Sequence, residues 1–541
     1  MNIPPLKKNF ALRKFHRLRV IMRGYNILKS NGQLGLIRKV KRELADTRLE
    51  QNAENASAYF WGAAKNESEL ATRQYVLLKQ TGIPLHKALL YSIGSGNSAI
   101  VYPLPKAFRR VLVQNGFNVS HWRSSLAWAY TVWLMWCFGI VAIFKIFYKS
   151  IRSKTSSLFF PGTSYAFFTG LHPNNLPRPA ADGKSHDTVT WYLNWPGSAK
   201  DITMIGHDVR GVAANYFQNK KIEYSEEPFP PVKGFLQWGR FLIWSAAAAI
   251  SSGITMLTGK WWNAFLLSEA AKAAVVRLSS QGSLAADYLF ENSDTVYRPL
   301  WTYEAEKKGS RIISYFYSIF EDFKLPSGYQ PNSTYWQAMN WPLYLVWDDY
   351  QEALVKRNVN EYANTCIVGP VWLNSSPDPL PVIPGNSIAV FDMPPLRSSF
   401  HFGFSTLAEL DYGNHVPVHF IQDIANCLKV YKGTIIHKRK RKSADNHLFK
   451  PYTKMLDELL TKDKLISINP DTSAIRIIES CVAVISMPFT STAILGRELG
   501  KPSVYYDPTG LIQKDDRGAH GIPIITGKME LTSWMEEIFK K

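Results

Sequence analysis

The sequence predicts an α/β protein with a doubly wound parallel sheet in its C-terminal part and helical, membrane-associated segments near its N-terminus. Three observations carry this. From residue 387 onward, short β-branched runs alternate with helical stretches, the pattern of parallel strands joined by crossover helices. Two long uncharged stretches lie further upstream. The first 45 or so residues are rich in Lys and Arg.

The elements follow in order. Residues 1–45 intersperse Leu, Ile and Phe among the basic residues. This fits a basic amphipathic helix on a membrane surface, and equally a solvated arm. Residues 125–144, SLAWAYTVWLMWCFGIVAIF, are long enough to cross a bilayer, for which about 20 apolar residues suffice. Residues 241–259, FLIWSAAAAISSGITMLTG, are richer in Ala, Ser and Gly and also read as a buried helix. Arg109, Arg110 and Arg123 precede the first stretch, and Lys145, Lys149, Arg152 and Lys154 follow it. Positive charge on both flanks suits contact with one anionic leaflet. Peripheral or monotopic attachment is therefore expected, with spanning as the alternative.

Between 156 and 375, TVTWYLNW (188–195) reads as a strand and DITMIGHDV (201–209) as a turn leading into a helix. IISYFYSIF (312–320) and LYLVWDDY (343–350) read as strands or strand-to-helix joints. TCIVGPVW (365–372) is a strand ending in Gly-Pro, and the proline-rich 374–386 is a linker. The regular part follows. Its strands are SIAVFDM, GTIIH, KLISIN, VAVIS, SVYY and IPIIT, with helices between them and one at the end. The expected units are 1–155, basic and helical; 156–380, with an apolar helical insertion near 235–275; and 385–541.

Composition narrows the function classes. The 541 residues carry a formal charge of +20, which suits nucleic acid, an anionic membrane or phosphorylated ligands. Cys137, Cys366, Cys427 and Cys481 are far apart and form no CxxC pair, so neither a zinc site nor a disulfide framework is expected. A reducing cytosolic environment fits. The N-terminus has no signal-peptide pattern. No G-x-G-x-x-G and no Walker A sequence occurs. No nucleic-acid motif supports the reading that charge alone suggests.

Ligands of such sheets bind at the carboxyl ends of the strands. That edge would gather His437, Lys438, Arg439, Lys440, Arg441 and Lys442 after GTIIH, and Asn469, Asp471, Thr472 and Ser473 after KLISIN. It would also gather Thr490, Ser491 and Thr492 after VAVIS. The last three sit at a strand-to-helix turn, where exposed amides and the helix dipole favour an anion. They also serve as cap residues, so a phosphate cradle and an ordinary cap both fit.

SMPFTSTAILGRELGKPSVYYDPTG (486–510) resembles the signature of bacterial polysaccharide-biosynthesis PFTS-motif proteins, with Pro488-Phe489-Thr490-Ser491 as its core. The C-terminal half is similar to the donor domain of GT-B glycosyltransferases. YRPLWTYEAEKKGSRIISYFYS (297–318), YLVWDDYQ (344–351) and CIVGPVW (366–372) resemble the closing part of an acceptor domain. The resemblance covers roughly 155–541. It implies two Rossmann-like domains facing a cleft, and transfer of a sugar from a nucleotide-sugar donor to a glycan or lipid-linked acceptor. The expected location is the cytoplasmic face of the inner membrane, against an anionic surface. No metal or cofactor is expected.

Carried over by position, Thr490, Ser491 and Thr492 would bind donor phosphate, and His437 and Lys438 would face phosphate or base. Arg439, Asn469, Thr472 and Ser473 join the expected donor site, and Glu498 is the candidate for the ribose. Candidates for a catalytic base are His207, Asp208, Glu304 and Asp348, each of which also reads as a surface or capping residue. A polyol-phosphate transferase using CDP-glycerol is the near alternative, and a nucleic-acid-binding protein the distant one.

Overall fold

The computed structural model describes residues 5–33, 35–49, 65–152, 156–160, 162–171, 173–177, 187–212, 214–291, 296–319, 323–329, 335–372, 380–397, 413–439 and 447–540. The described residues open with six helices: α1 (Pro5–Ser30), α2 (Leu36–Asp46), α3 (Lys65–Gln80), α4 (Ile83–Gly94), α5 (Lys106–Gln114) and α6 (His121–Arg152). The basic segment is thus mostly helix, and its C-terminal half is anchored rather than free. Ile21 and Leu28 of α1 are buried, and α1 packs against α4.

The first sheet holds β1 (Tyr165–Thr169), β2 (Met204–His207), β3 (Asn215–Phe217), β4 (Lys220–Tyr224), β5 (Asp287–Glu291), β6 (Arg311–Tyr315), β9 (Leu343–Val346) and β10 (Thr365–Ile367). Its order is β10-β9-β6-β5-β1-β2-β4-β3, parallel except for the β3–β4 pair. A small hairpin, β7 (Lys324–Leu325) with β8 (Gly328–Tyr329), stands apart. Helices α7 (Thr188–Asn194), α8 (Phe235–Leu257), α9 (Trp262–Leu278), α10 (Leu300–Lys307) and α11 (Asp349–Asn358) complete this lobe. Alternate strand residues feed two cores. Phe167 and Tyr288 share one with α9, while Phe168, Ile205 and Leu289 share the other with Tyr192 of α7.

Two local expectations are corrected here. Residues 188–194 are helix, not strand. Asp187 caps them, accepting the Thr190 amide at 2.8 Å and its hydroxyl at 2.6 Å. The aromatic residues that suggested a strand face the sheet, with Tyr192 edge-on to Phe168. Residues 204–207 are strand β2, not the approach to a helix. All four are buried between β1 and β4, so no helical periodicity applies.

The second sheet holds β11 (Ser387–Asp392), β12 (Thr434–Arg439), β13 (Leu465–Ile468), β14 (Ala483–Ser486), β15 (Ser503–Asp507) and β16 (Ile524–Thr526). The order is β13-β12-β11-β14-β15-β16, all parallel. Helices α12 (Val416–Leu428), α13 (Lys450–Thr461), α14 (Ala474–Glu479), α15 (Ser491–Glu498) and α16 (Gly527–Phe539) cover its two faces.

Among the described residues, two helices are long and apolar enough to cross a membrane, α6 and α8. They lie beside each other, with the Trp136 indole donating to Ser252 Oγ at 3.0 Å, and both pack on the buried α9. Only 22% of the most apolar part of each is buried. Trp133, Phe138 and Phe144 of α6 and Leu242, Ile243 and Ile254 of α8 are exposed, which a core helix would not show.

The position of α15 depends on Gly496. A Cβ there would lie 2.3 Å from Ser503 Oγ and 2.7 Å from Val484 Cγ2, so the helix rests directly on β14 and β15. Gly496→Ala is expected to cost about 1–3 kcal/mol by overpacking, read as a lower urea midpoint with an unchanged slope.

Candidate functional site

Counted from its first strand, the second sheet runs 3-2-1-4-5-6, so its order reverses between β11 and β14. β11 and β14 are paired there, and the connections leaving them run in opposite directions, the arrangement that opens a crevice at the carboxyl ends of such strands. Met487-Pro488-Phe489-Thr490-Ser491 leaves β14 at this point. The Thr490 amide and hydroxyl both donate to the Met487 carbonyl at 3.0 Å. Thr492 Oγ1 lies 2.9 Å from Ser486 Oγ and 3.3 Å from Thr490 Oγ1. The buried Tyr505 hydroxyl donates to the Thr490 carbonyl at 2.9 Å. Thr490 is the N-cap of α15, yet its side chain makes no hydrogen bond to the helix amides. The threonine hydroxyls are used in holding the turn, and Ser491, half-buried, begins the helix.

The other expected donor-site residues divide. Lys438 and Asp471 flank the crevice from β12 and the turn after β13. Burial lowers the Lys438 pKa, and the Asp471 charge works against that. Asn469 Oδ1 accepts the Asp471 amide at 3.1 Å, and the Asn469 carbonyl accepts that of Thr472 at 2.9 Å. Thr472 and Ser473 are buried in this turn, ahead of α14. Arg439 is half-buried at the end of β12. Lys440, Arg441 and Lys442 lie outside the described residues.

His437 does not meet the expectation of facing phosphate or base. Strand alternation turns it to the face opposite Lys438, beneath α13, where it is fully buried. Its Nε2 lies 3.1 Å from Asp392 Oδ1 and 3.4 Å from the Tyr452 hydroxyl, which donates to Asp392 Oδ2 at 2.5 Å. Glu498 is likewise displaced. It closes α15, roughly 10 Å along the helix from Ser491, and pairs with Arg497 at 3.1 Å.

The first sheet reverses between β1 and β5. Gly170, just past β1, has φ +74°, and a Cβ there would meet Glu291 Cγ at 3.5 Å. Its amide donates to Asp208 Oδ2 at 2.9 Å. Burial raises the Asp208 pKa, opposed by backbone amides including that of Gly170. Tyr315, at the end of β6, is pushed far above the usual phenol range by burial and then by the Glu291 and Asp208 charges. Asp208, Glu291 and Tyr315 therefore gather at this switch point. Glu291 was missed because DYLFE, ending in a lone carboxylate, carries no motif.

The remaining base candidates fall elsewhere. His207 is fully buried at the end of β2, its Nδ1 accepting the Val209 amide at 3.2 Å. Burial lowers its pKa to about 4, so the ring is neutral near pH 7. Glu304 is buried behind the sheet and pairs with Arg277 at 3.0 Å, joining α10 to α9. Asp348 caps α11 through the Gln351 amide and holds His520 Nδ1 at 2.6 Å. Burial alone would raise the Asp348 pKa. The His520 hydrogen bond and charge, with the Gln351 amide, outweigh it and leave the carboxyl below its usual range.

His520 belongs to the loop between β15 and β16, so the Asp348 pair crosses between the lobes. The β7–β8 hairpin does the same. The Lys324 amide donates to Asp516 Oδ2 at 2.5 Å, its carbonyl accepts the Gln513 amide at 2.9 Å, and Arg517 lies 3.7 Å from the Tyr329 ring. Phe323 stacks on Phe489 at 5.2 Å. Loops leaving the carboxyl ends of both sheets thus meet.

Residues 243–535 match the family model described as polysaccharide biosynthesis PFTS motif protein. The chain belongs to that family. The match runs from α8 to α16 and includes the switch-point turn. Among solved structures, TarM is 10% identical over 50% of this chain and 51% of its own, with a TM-score of 0.29. This chain therefore spans about half the length of TarM. Anabaena HepE in complex with UDP and glucose is 11% identical over 70% and 89%, with a TM-score of 0.33. A variant of the wall teichoic acid polymerase TagF is 10% identical over 76% and 89%, with a TM-score of 0.35. The comparison with curated proteins returned no match.

Two outcomes test this PFTS protein's geometry. The folded chain resists protonating His207 until about pH 4, whereas an unfolded histidine titrates near 6.5. Below 6.5 the unfolded state therefore binds the extra proton, and the stability due to His207 is lost as pH falls toward 4. The loss is roughly 3 kcal/mol; denaturation of His207→Gln should show a correspondingly shallower acid limb. Asp348→Asn should cost about 1.5–3 kcal/mol as the charged partner of His520 disappears. The radius of gyration from small-angle scattering should rise as the lobes separate.

Proposed function

We propose that the chain is a membrane-associated glycosyltransferase of surface-polysaccharide synthesis. It moves a sugar from a nucleotide-sugar donor to a glycan or lipid-linked acceptor. Residues 385–541 form the donor side and 156–380 the acceptor side. The observation that carries this reading is the PFTS turn at one switch point and the Asp208–Glu291 carboxylates at the other, on two sheets whose carboxyl-end loops meet. Family membership supports the polysaccharide assignment. The exposed apolar faces of α6 and α8, with their basic flanks, support attachment at the cytoplasmic face of a membrane.

The residues divide the work as follows. The first amides of α15, together with Ser491 and Lys438, hold the donor diphosphate and stabilise the charge it gains on leaving. Asp208 takes the proton from the acceptor hydroxyl as that oxygen bonds to the anomeric carbon and the bond from that carbon to phosphate oxygen breaks. The Gly170 amide holds Asp208 Oδ2 in place at the end of β1. His207, enclosed and neutral, positions the β2 terminus that carries Asp208.

Ser491→Ala should weaken UDP binding about ten- to a hundred-fold, the loss of one hydrogen bond to a charged oxygen. Lys438→Ala should weaken it with folding intact. A change in unfolding free energy with unaltered UDP affinity would return the turn to a helix cap. Asp208→Asn should lower turnover by about 10²–10⁴-fold at unchanged donor affinity. Product analysis with UDP-sugars against CDP-glycerol distinguishes sugar transfer from polyol-phosphate transfer.

A further inference from the structure

A cavity of about 870 Å³ opens between α6, α9 and the chain leaving the carboxyl end of β4. One wall is apolar. Met135, Phe138, Ala142 and Ile146 of α6 reach it at helical spacing, and Phe138 continues onto the helix's exposed outer surface. The other wall is charged. Lys149 lies 2.9 Å from Glu226 and 2.8 Å from Glu227, and Lys272 lies 3.1 Å from Glu269.

Two features give the cavity a direction and a sign. Arg210, two residues beyond Asp208, reaches Glu226 at 3.5 Å, and Lys145 reaches the same carboxylate at 3.7 Å. Glu226 thus ties the end of α6 to the loop that carries the proposed base. The lining includes four lysines and four glutamates. Lys221 and Arg210 pair with two of those glutamates from outside the lining, which leaves cations in excess. An apolar wall open to a membrane-type helix and a cationic end near the acceptor edge suit a guest with the same two halves.

We propose that this cavity seats the lipid end of the acceptor, an anionic amphiphile with an alkyl or isoprenoid chain and a phosphate head. The chain lies along α6. The phosphate sits among Lys145, Lys149 and Arg210, and the glycan extends past Arg210 toward Asp208. This rests on the transferase reading and adds the acceptor's chemical class and its seat.

The probe is dodecyl phosphate below its micellar concentration, titrated into the full chain by calorimetry, with UDP titrated in parallel. The parent should bind it at least ten-fold more tightly than dodecanol or glycerol phosphate. Ala142→Trp, which fills the apolar wall, should weaken it ten-fold or more and leave UDP affinity unchanged. A diazirine-bearing dodecyl phosphate should crosslink in the parent to residues 135–149 and 223–231, a readout that needs no folded variant. Equal affinity for dodecanol, unchanged binding by Ala142→Trp, crosslinks confined to the outer faces of α6 and α8, or binding only to anionic phosphatidylglycerol vesicles would each overturn the proposal. Absence of UDP binding in the parent would instead count against the transferase reading.

Discussion

The placement of both switch-point groups in this chain is governed by one constraint: parallel strands bury both faces of their sheet. Crossover connections lay helices on each side, and the described strands of the second sheet are apolar on both faces for that reason. Polar chemistry is pushed to the strand ends. A switch point then opens a crevice at one place along that edge. The PFTS turn, on the strand next to β11, occupies such a crevice. Asp208 and Glu291 stand around the corresponding one in the other lobe. Neither group is near the other in sequence, and topology alone makes them candidates for one reaction.

The lobes still have to face each other, and the motif helps with that. Phe489 packs edge-on to Tyr505 within its own lobe and stacks on Phe323 from the other. Its neighbours Thr490 and Thr492 spend their hydroxyls on the turn itself. The motif therefore combines a lobe contact, a self-bonded scaffold and the first amides of a helix within a few residues. That explains how a sequence of this composition can be distinctive without containing an acid, a base or a metal ligand. The Asp348–His520 pair and the β7–β8 hairpin hold the same alignment from either side.

The regular part of the fold was legible because a buried parallel strand and an amphipathic helix differ in length and period, and 387–526 keeps to that contrast throughout. Residues 188–209 broke it. Thr, Trp and Tyr favour strands, but the Asp187 cap and a sheet-facing Tyr192 made the first segment a helix, while burial of Met204–His207 on both faces removed any period from the second. At the site, placement at a strand end could be read, but which face a side chain takes could not. Lys438 and His437 are adjacent in sequence and were expected to act together. Alternation sends one to the crevice side and the other beneath Tyr452. Glu291 and His520 carried no pattern at all, since their significance comes from residues on other elements, far from them in sequence.

The apolar helices also acquire a different meaning from their connectivity. α8 and α9 are the crossover between β4 and β5, so they belong to the first sheet rather than being appended to it. α9 is buried on nearly every side, with Phe265 against Trp128 of α6 at 5.2 Å, and it shares a core with Tyr288 of β5. Any surface that receives α6 and α8 is therefore coupled to the first sheet through the packed α9 and through the ion pairs of Glu226. A rigid coupling of that kind fixes the height of Asp208 above the surface, whereas a flexible tether would fix only its distance from an anchor point. On the proposed function, an acceptor emerging from a membrane at a defined depth would then meet Asp208 with little search. For such an enzyme, orientation on the surface is part of the active-site geometry.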